Sequence, residues 1–173
     1  MKTVLVNKPI HNVALERLRQ EANANTAYKA SYEELMAILP NVQAVILCAG
    51  LTMGAAEMDQ AGQLEVITRH GAGVDTVDLE AATQRGIPVA FTPYGPTEST
   101  AEHALMLMLA VARHLPQLDR AVRSGDFHIR DRVVGQELEG KRLGIVGFGR
   151  IGKRLAEICS DGLHMPVFFY DPF

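Results

Sequence analysis

Over the first hundred residues, short apolar runs alternate with amphipathic stretches. Residues 2–7 (KTVLVN) form a β-branched run that predicts a strand, and Ile10, Val13, Ala14 and Leu18 then recur at helical spacing. Ser31-Tyr-Glu-Glu34 reads as a capping box, predicting a helix that ends before Pro40. Residues 42–48 (VQAVILC) and 64–69 (LEVITR) predict buried strands. A helix over 75–84 closes at Gly86, and 87–91 (IPVAF) predicts the next strand. Continuous apolar strands separated by helices imply a parallel sheet covered on both faces, hence an α/β fold.

The pattern changes at Thr92-Pro-Tyr-Gly-Pro96, a turn-rich break. Ser99-Thr-Ala-Glu102 follows as a second capping box, predicting a helix over about 100–113. Its middle (ALMLMLAVA, 104–112) is apolar all round, so it is expected to be buried in the protein or against a second subunit. A polar stretch from Pro116 to Gly140 leads to a closing strand–turn–helix–strand unit. The expected organisation is a first domain over 1–98, then a connecting helix and arm, with a second domain opening at Lys141.

Composition narrows the function. A net charge of −3 with scattered Lys and Arg provides no footprint for nucleic acid. The longest apolar run is under half the roughly 20 residues a membrane helix needs. The amino-terminal apolar run is too short for a signal-peptide core. Cys48 and Cys159 match no metal or redox spacing and read as buried, reduced thiols. A cytoplasmic protein binding neither membrane nor nucleic acid is expected.

The chemistry concentrates at the end of the chain. Gly147-Phe-Gly-Arg-Ile-Gly152 fits G-x-G-x-x-G, follows the strand signal LGIV (143–146), and opens a helix carrying Ile151, Leu155 and Ile158. Gly147 would allow the tight turn, Gly149 a close approach to a pyrophosphate, and Gly152 close helix–strand packing. The helix N-terminus would offer free N–H groups to the phosphates. Asp171, 19 residues after Gly152, sits where a carboxylate accepts hydrogen bonds from an adenosine ribose and repels a 2′-phosphate. NAD is therefore expected over NADP. Earlier, Arg69-His-Gly-Ala-Gly-Val-Asp75 places two glycines just after a strand. That loop reads either as a backbone nest for a carboxylate or as a plain strand-to-helix turn capped by Asp75.

RHGAGVDTVDLEAATQRGIPVAFTP, TESTAEHALMLMLAVAR, GKRLGIVGFGRIGKRLAEI and the closing YDP together resemble the D-isomer-specific 2-hydroxyacid dehydrogenases, with the glyoxylate/hydroxypyruvate reductase and phosphoglycerate dehydrogenase branches most similar. The resemblance implies a flavodoxin-like substrate domain over 1–98. From 99 to 173 it implies the connecting helix, the arm and the first βαβ of a Rossmann NAD-binding domain, incomplete at the chain's end. It implies that Gly71, Ala72 and Gly73 hold the carboxylate of a small 2-hydroxy or 2-oxo acid. Gly147, Gly149, Arg150, Ile151 and Gly152 would contact the pyrophosphate, and Asp171 the ribose. The helix and arm would help form a homodimer or higher oligomer. The family's catalytic Arg, Glu and His are expected beyond residue 173, so no catalytic residue is assigned within it.

Among the six histidines, His70 lies best for chemistry, beside the glycine loop. His103 reads as a packed core residue, and His11, His114, His128 and His164 as solvated or capping groups. Three readings remain open. The chain is the N-terminal part of an NAD-dependent dehydrogenase, an inactive truncated paralogue that binds a dinucleotide, or an oligomeric interaction module.

Overall fold

The computed structural model describes residues 1–173, and the chain divides into two compact units, Met1–Gly95 and Pro96–Phe173. No helix is long and apolar enough to cross a membrane.

In the first unit, strands β1 (Thr3–Val6), β2 (Asn23–Thr26), β3 (Ala44–Leu47), β4 (Val66–Arg69) and β5 (Val89–Phe91) form one parallel sheet in the order β2-β1-β3-β4-β5. This is the flavodoxin-like doubly wound order, and its direction reverses between β1 and β3. The connections are α1 (Asn12–Glu21), α2 (Tyr32–Ile38), α3 (Ala55–Gln60) and α4 (Leu79–Gln84). Right-handed crossovers put α1 on the face opposite α2, α3 and α4.

The side-chain period of two decides which face is the core. Leu5, Val45, Leu47 and Ile67 point to one face, where Leu35 of α2, Leu39 just after it, Met58 of α3 and Ala81 of α4 bury against them. Val4 and Val6 point to the other face, also buried, but Ala44, Ile46 and Val66 beside them are only half-buried. The expected double-sided cover is complete on one face alone.

Two elements escaped the periodicity. β2 (NANT) is an edge strand too polar to register as one, and α3 is a helix of only six residues. The helix expected over 75–84 begins at Leu79, because Asp78 rather than Asp75 caps it, accepting the Ala81 N–H at 2.9 Å. The capping box at Ser31 forms as expected: Ser31 Oγ accepts the Glu34 N–H at 3.2 Å, and Glu34 accepts the Ser31 N–H at 2.8 Å.

The second unit opens with α5 (Thr97–Ala112) and α6 (Leu115–Arg123), followed by β6 (Leu143–Val146), α7 (Arg150–Leu163) and β7 (Val167–Tyr170). β6 and β7 pair in parallel, with Leu143 opposite Val167 and Val146 opposite Tyr170. Two expectations fail here. α5 starts at Thr97, so Ser99 and Glu102 lie inside it and form no capping box; the Ser99 hydroxyl instead donates to the Pro96 carbonyl at 3.3 Å. Within the chain α5 buries only Ala101, and Met106, Leu107, Leu109 and Val111 are exposed, so of the two covers expected for its apolar middle the second subunit is the one left open. His103 is likewise exposed rather than packed in a core.

Candidate functional site

Parallel strands bring their carboxyl ends to one edge, and in the first unit the loops after β1, β3 and β4 meet there. Asn7, the one buried polar side chain, joins the first two of these loops. Its Oδ1 accepts the Cys48 N–H at 2.7 Å, and its amide donates to the Ala49 carbonyl at 3.3 Å. Sequence reasoning missed this residue, since one Asn at a strand end carries no motif.

The loop after β4 is shaped from beneath by Arg69. Its guanidinium folds back to donate to the His70 carbonyl, and to that of Leu47 at 3.4 Å. A Cβ at Gly71 would sit 2.9 Å from Nη1 at the flexible end of Arg69, which could shift, so it is the backbone, at φ +150, that favours glycine. The Gly71 N–H is already used, donating to the Arg69 carbonyl at 2.9 Å, while its carbonyl accepts the Thr92 N–H at 3.0 Å. The N–H groups of Ala72 and Gly73 have no partner within the chain. Of the three loop residues, these two have donors left for an anion.

His70 is exposed, and its Nδ1 lies 3.6 Å from the buried Cys48 thiol. Burial pushes that thiol up, against the opposing pull of Arg69 and Lys8, so it is not a thiolate poised to react. His70 has no carboxylate partner; the one close His–acid pair, His128 and Asp131 at 3.5 Å, is on the exposed surface. His11 caps α1, accepting the Val13 N–H at 3.3 Å, and His164 ends α7 in the left-handed conformation.

In the second unit the three glycines of the 147–152 turn have separable causes. Gly147 has φ +90, and its N–H donates to the Tyr170 carbonyl at 2.8 Å, fixing the turn to the end of β7. At Gly152, a Cβ would overlap the Gly147 carbonyl oxygen. Gly149 is different: its φ is an ordinary −72, and a Cβ there would meet nothing within 4 Å. Nothing inside the chain demands glycine at 149. The open space lies at the start of α7, where no side chain caps the helix.

Asp171 reaches this turn from the end of β7. Its Oδ2 accepts the Phe148 N–H at 2.6 Å and its Oδ1 the Phe173 N–H at 3.1 Å. The Phe148 ring stacks on Phe169, with centroids 3.9 Å apart and planes 11° from parallel. Gly147, Gly149, Gly152 and Asp171 therefore surround one place, with Ile151 partly exposed and Arg150 exposed beside it. The residues fit a dinucleotide: an unencumbered glycine backbone and uncapped helix for phosphates, and a carboxylate for hydroxyls.

A family model described as D-isomer specific 2-hydroxyacid dehydrogenase, catalytic domain, matches residues 4–169. The D-3-phosphoglycerate dehydrogenase of Archaeoglobus fulgidus is 43% identical over 173 residues, covering 98% of this chain and 32% of its own length. Among solved structures, the TT0316 protein of Thermus thermophilus aligns with a TM-score of 0.85 at 34% identity, covering 99% of this chain and 58% of that one. The NAD+-bound 3-phosphoglycerate dehydrogenase of Entamoeba histolytica aligns at 0.74 and 28% identity, covering 99% and 54%. The chain spans about a third of the length of the curated relative and somewhat over half of the solved ones.

Proposed function

The chain belongs to the D-isomer-specific 2-hydroxyacid dehydrogenases, and from that premise we propose that it supplies the substrate loop and half the cofactor site of an NAD-dependent oxidoreductase. The substrate is a small 2-hydroxy or 2-oxo acid. NAD, when bound, accepts or returns the hydride. Residues 1–98 serve as the substrate domain, and 99–173 as the connecting helix, the arm and the start of the nucleotide-binding domain. The N–H groups of Ala72 and Gly73 hold the substrate carboxylate, with Gly71 setting the loop's shape. Gly147, Gly149, Arg150, Ile151 and Gly152 cradle the pyrophosphate at the start of α7, and Asp171 takes the adenosine ribose. A carboxylate there opposes the 2′-phosphate of NADP. No residue of this chain is assigned the proton transfer. Its setting is the cytoplasm.

The observation that carries this reading is Gly149, a glycine in ordinary backbone geometry facing open space beside an uncapped helix. Such a glycine keeps room for a group from outside the chain. Gly149→Asp separates folding from binding, because Asp is a good N-cap and suits the positive helix end. Titration calorimetry should find NAD bound at least about tenfold more tightly than NADP by the parent chain. Gly149→Asp should keep the thermal stability and lose NAD binding. A variant that binds NAD like the parent defeats the reading.

One observation favours association as well. The exposed apolar side chains on α5 support a homodimer or higher oligomer built on that helix and the arm after it.

A further inference from the structure

The bond between Asp171 and the Phe148 N–H lies within the protein and joins two groups of the same chain. A carboxylate that only awaited a ribose would need no such partner. Asp171 is tethered twice, by the Phe148 and Phe173 N–H groups at 2.6 and 3.1 Å. The turn it grips is also held by the Gly147 N–H on the Tyr170 carbonyl, and by the Phe148 ring stacked on Phe169. All of these contacts except the Phe173 bond join the glycine turn to the end of β7 or the residue just beyond.

We propose that Asp171 is a positioning residue of the glycine turn, holding the 147–149 backbone in its phosphate-ready shape before the cofactor arrives. The proposal rests on the dinucleotide reading above and adds a second task for the same carboxylate. Ionised, the group has about four lone-pair sites, and the two backbone N–H groups use two of them. The remainder face ribose hydroxyls. A carboxylate fixed in this way cannot swing aside for a 2′-phosphate, so rejection of NADP follows from the tether as well as from the charge. Removing Asp171 to admit NADP would loosen the surface that binds the pyrophosphate.

Two variants of equal charge isolate the effect. Asp171→Asn keeps an oxygen able to accept the Phe148 N–H, whereas Asp171→Ala keeps none. The first readout is amide hydrogen exchange at Phe148 in the ligand-free chain, with the Ile67 amide in the other unit as a folding reference. Exchange at Phe148 should speed up by about tenfold or more in Asp171→Ala, as loss of a charge-assisted bond requires, with Asp171→Asn in between. Unchanged Phe148 exchange in Asp171→Ala overturns the proposal. The second readout is affinity for inorganic pyrophosphate, which has no ribose. Asp171→Asn should bind it several-fold more tightly than Asp171→Ala; equal affinities would mean that the side chain acts on the ribose alone and would overturn the proposal. A parent chain that fails to bind NAD removes the dinucleotide reading but leaves the exchange result to stand or fall separately.

Discussion

Arg154 on α7 grips Glu98 in the first turn of α5 through two hydrogen bonds, Nε to Oε2 at 2.7 Å and Nη2 to Oε1 at 2.9 Å. A second acid, Glu157, accepts from Nη1 at 3.0 Å. The fork geometry of arginine suits this arrangement, and lysine would not reproduce it. The guanidinium hydrogen bond holds the Glu98 carboxyl below its ordinary range, and the two glutamates raise Arg154 in turn. A carboxyl whose folded pKa is depressed stabilises the fold above its unfolded pKa, and that contribution is lost as pH falls through the folded value. Both groups are solvent-exposed, so the effect is small. Glu98→Gln should lower the melting temperature slightly at neutral pH, with the difference from the parent vanishing in acid. Thermal melts across pH 3 to 7 check this, and a gap that persists at the acid end refutes it.

Two glycines of α7 should respond to alanine with opposite signs. At position 152 a methyl group would overlap the Gly147 carbonyl, a backbone atom that cannot turn away. Overpacking of this kind costs about 1–3 kcal/mol or more, and the turn that moves is the proposed phosphate cradle. At Gly162, inside the last turns of α7, a Cβ would meet nothing within 4 Å. Alanine there relieves the entropy cost of glycine in a helix, about 0.5–1 kcal/mol. Urea denaturation should show Gly152→Ala destabilised and Gly162→Ala stabilised; shifts of the same sign would contradict the packing.

Asn7 is a different kind of position, where the risk lies in a missing partner. Asn7→Ala leaves the buried Cys48 N–H without an acceptor, at a cost of about 1–3 kcal/mol. Asn12→Ala, at an exposed site in the first turn of α1, should stay within about 0.5 kcal/mol of the parent. The comparison is made by chemical denaturation, and equal costs at the two positions would show that the Asn7 bridge adds nothing.

What the sequence made legible follows its periodicity. Leu5 and Val45 sit in unbroken apolar runs and Ile67 in the mixed run LEVITR, and their strands form where expected. β2 was invisible because an edge strand needs apolar residues on few positions, and NANT has one small one. The glycine turn was readable because its spacing is a covalent constraint, and Gly147, Gly152 and Asp171 do meet at one place. The clamp on Phe148 was not, because a backbone N–H leaves no mark in the sequence. Arg69 was equally hidden: nothing in RHGAG says that the guanidinium folds under Gly71 rather than out to a ligand. At α5 apolarity left two covers open, the chain itself or a second subunit, because apolar content says that a surface will be covered but not by what, and the chain itself does not cover it.

That helix gives the remaining prediction. Met106, Leu107, Leu109 and Val111 are 48, 50, 38 and 75% exposed, four large apolar side chains on one helix, where isolated monomers show such residues singly. Just beyond, Leu115 and Val122 of α6 are exposed at 56 and 49%. Water around these side chains is released if a second copy covers them, at about 25 cal/mol per Å² of apolar surface. A charge among these exposed side chains reverses that gain without touching a buried group of the chain. Leu107→Glu should therefore leave the melting temperature of dilute protein nearly unchanged and shift sedimentation velocity from a dimer or larger species to the 18.9 kDa monomer. If the parent chain sediments as a monomer at high concentration, α5 does not join copies of this chain. If Leu107→Glu stays associated, the interface lies elsewhere on the molecule.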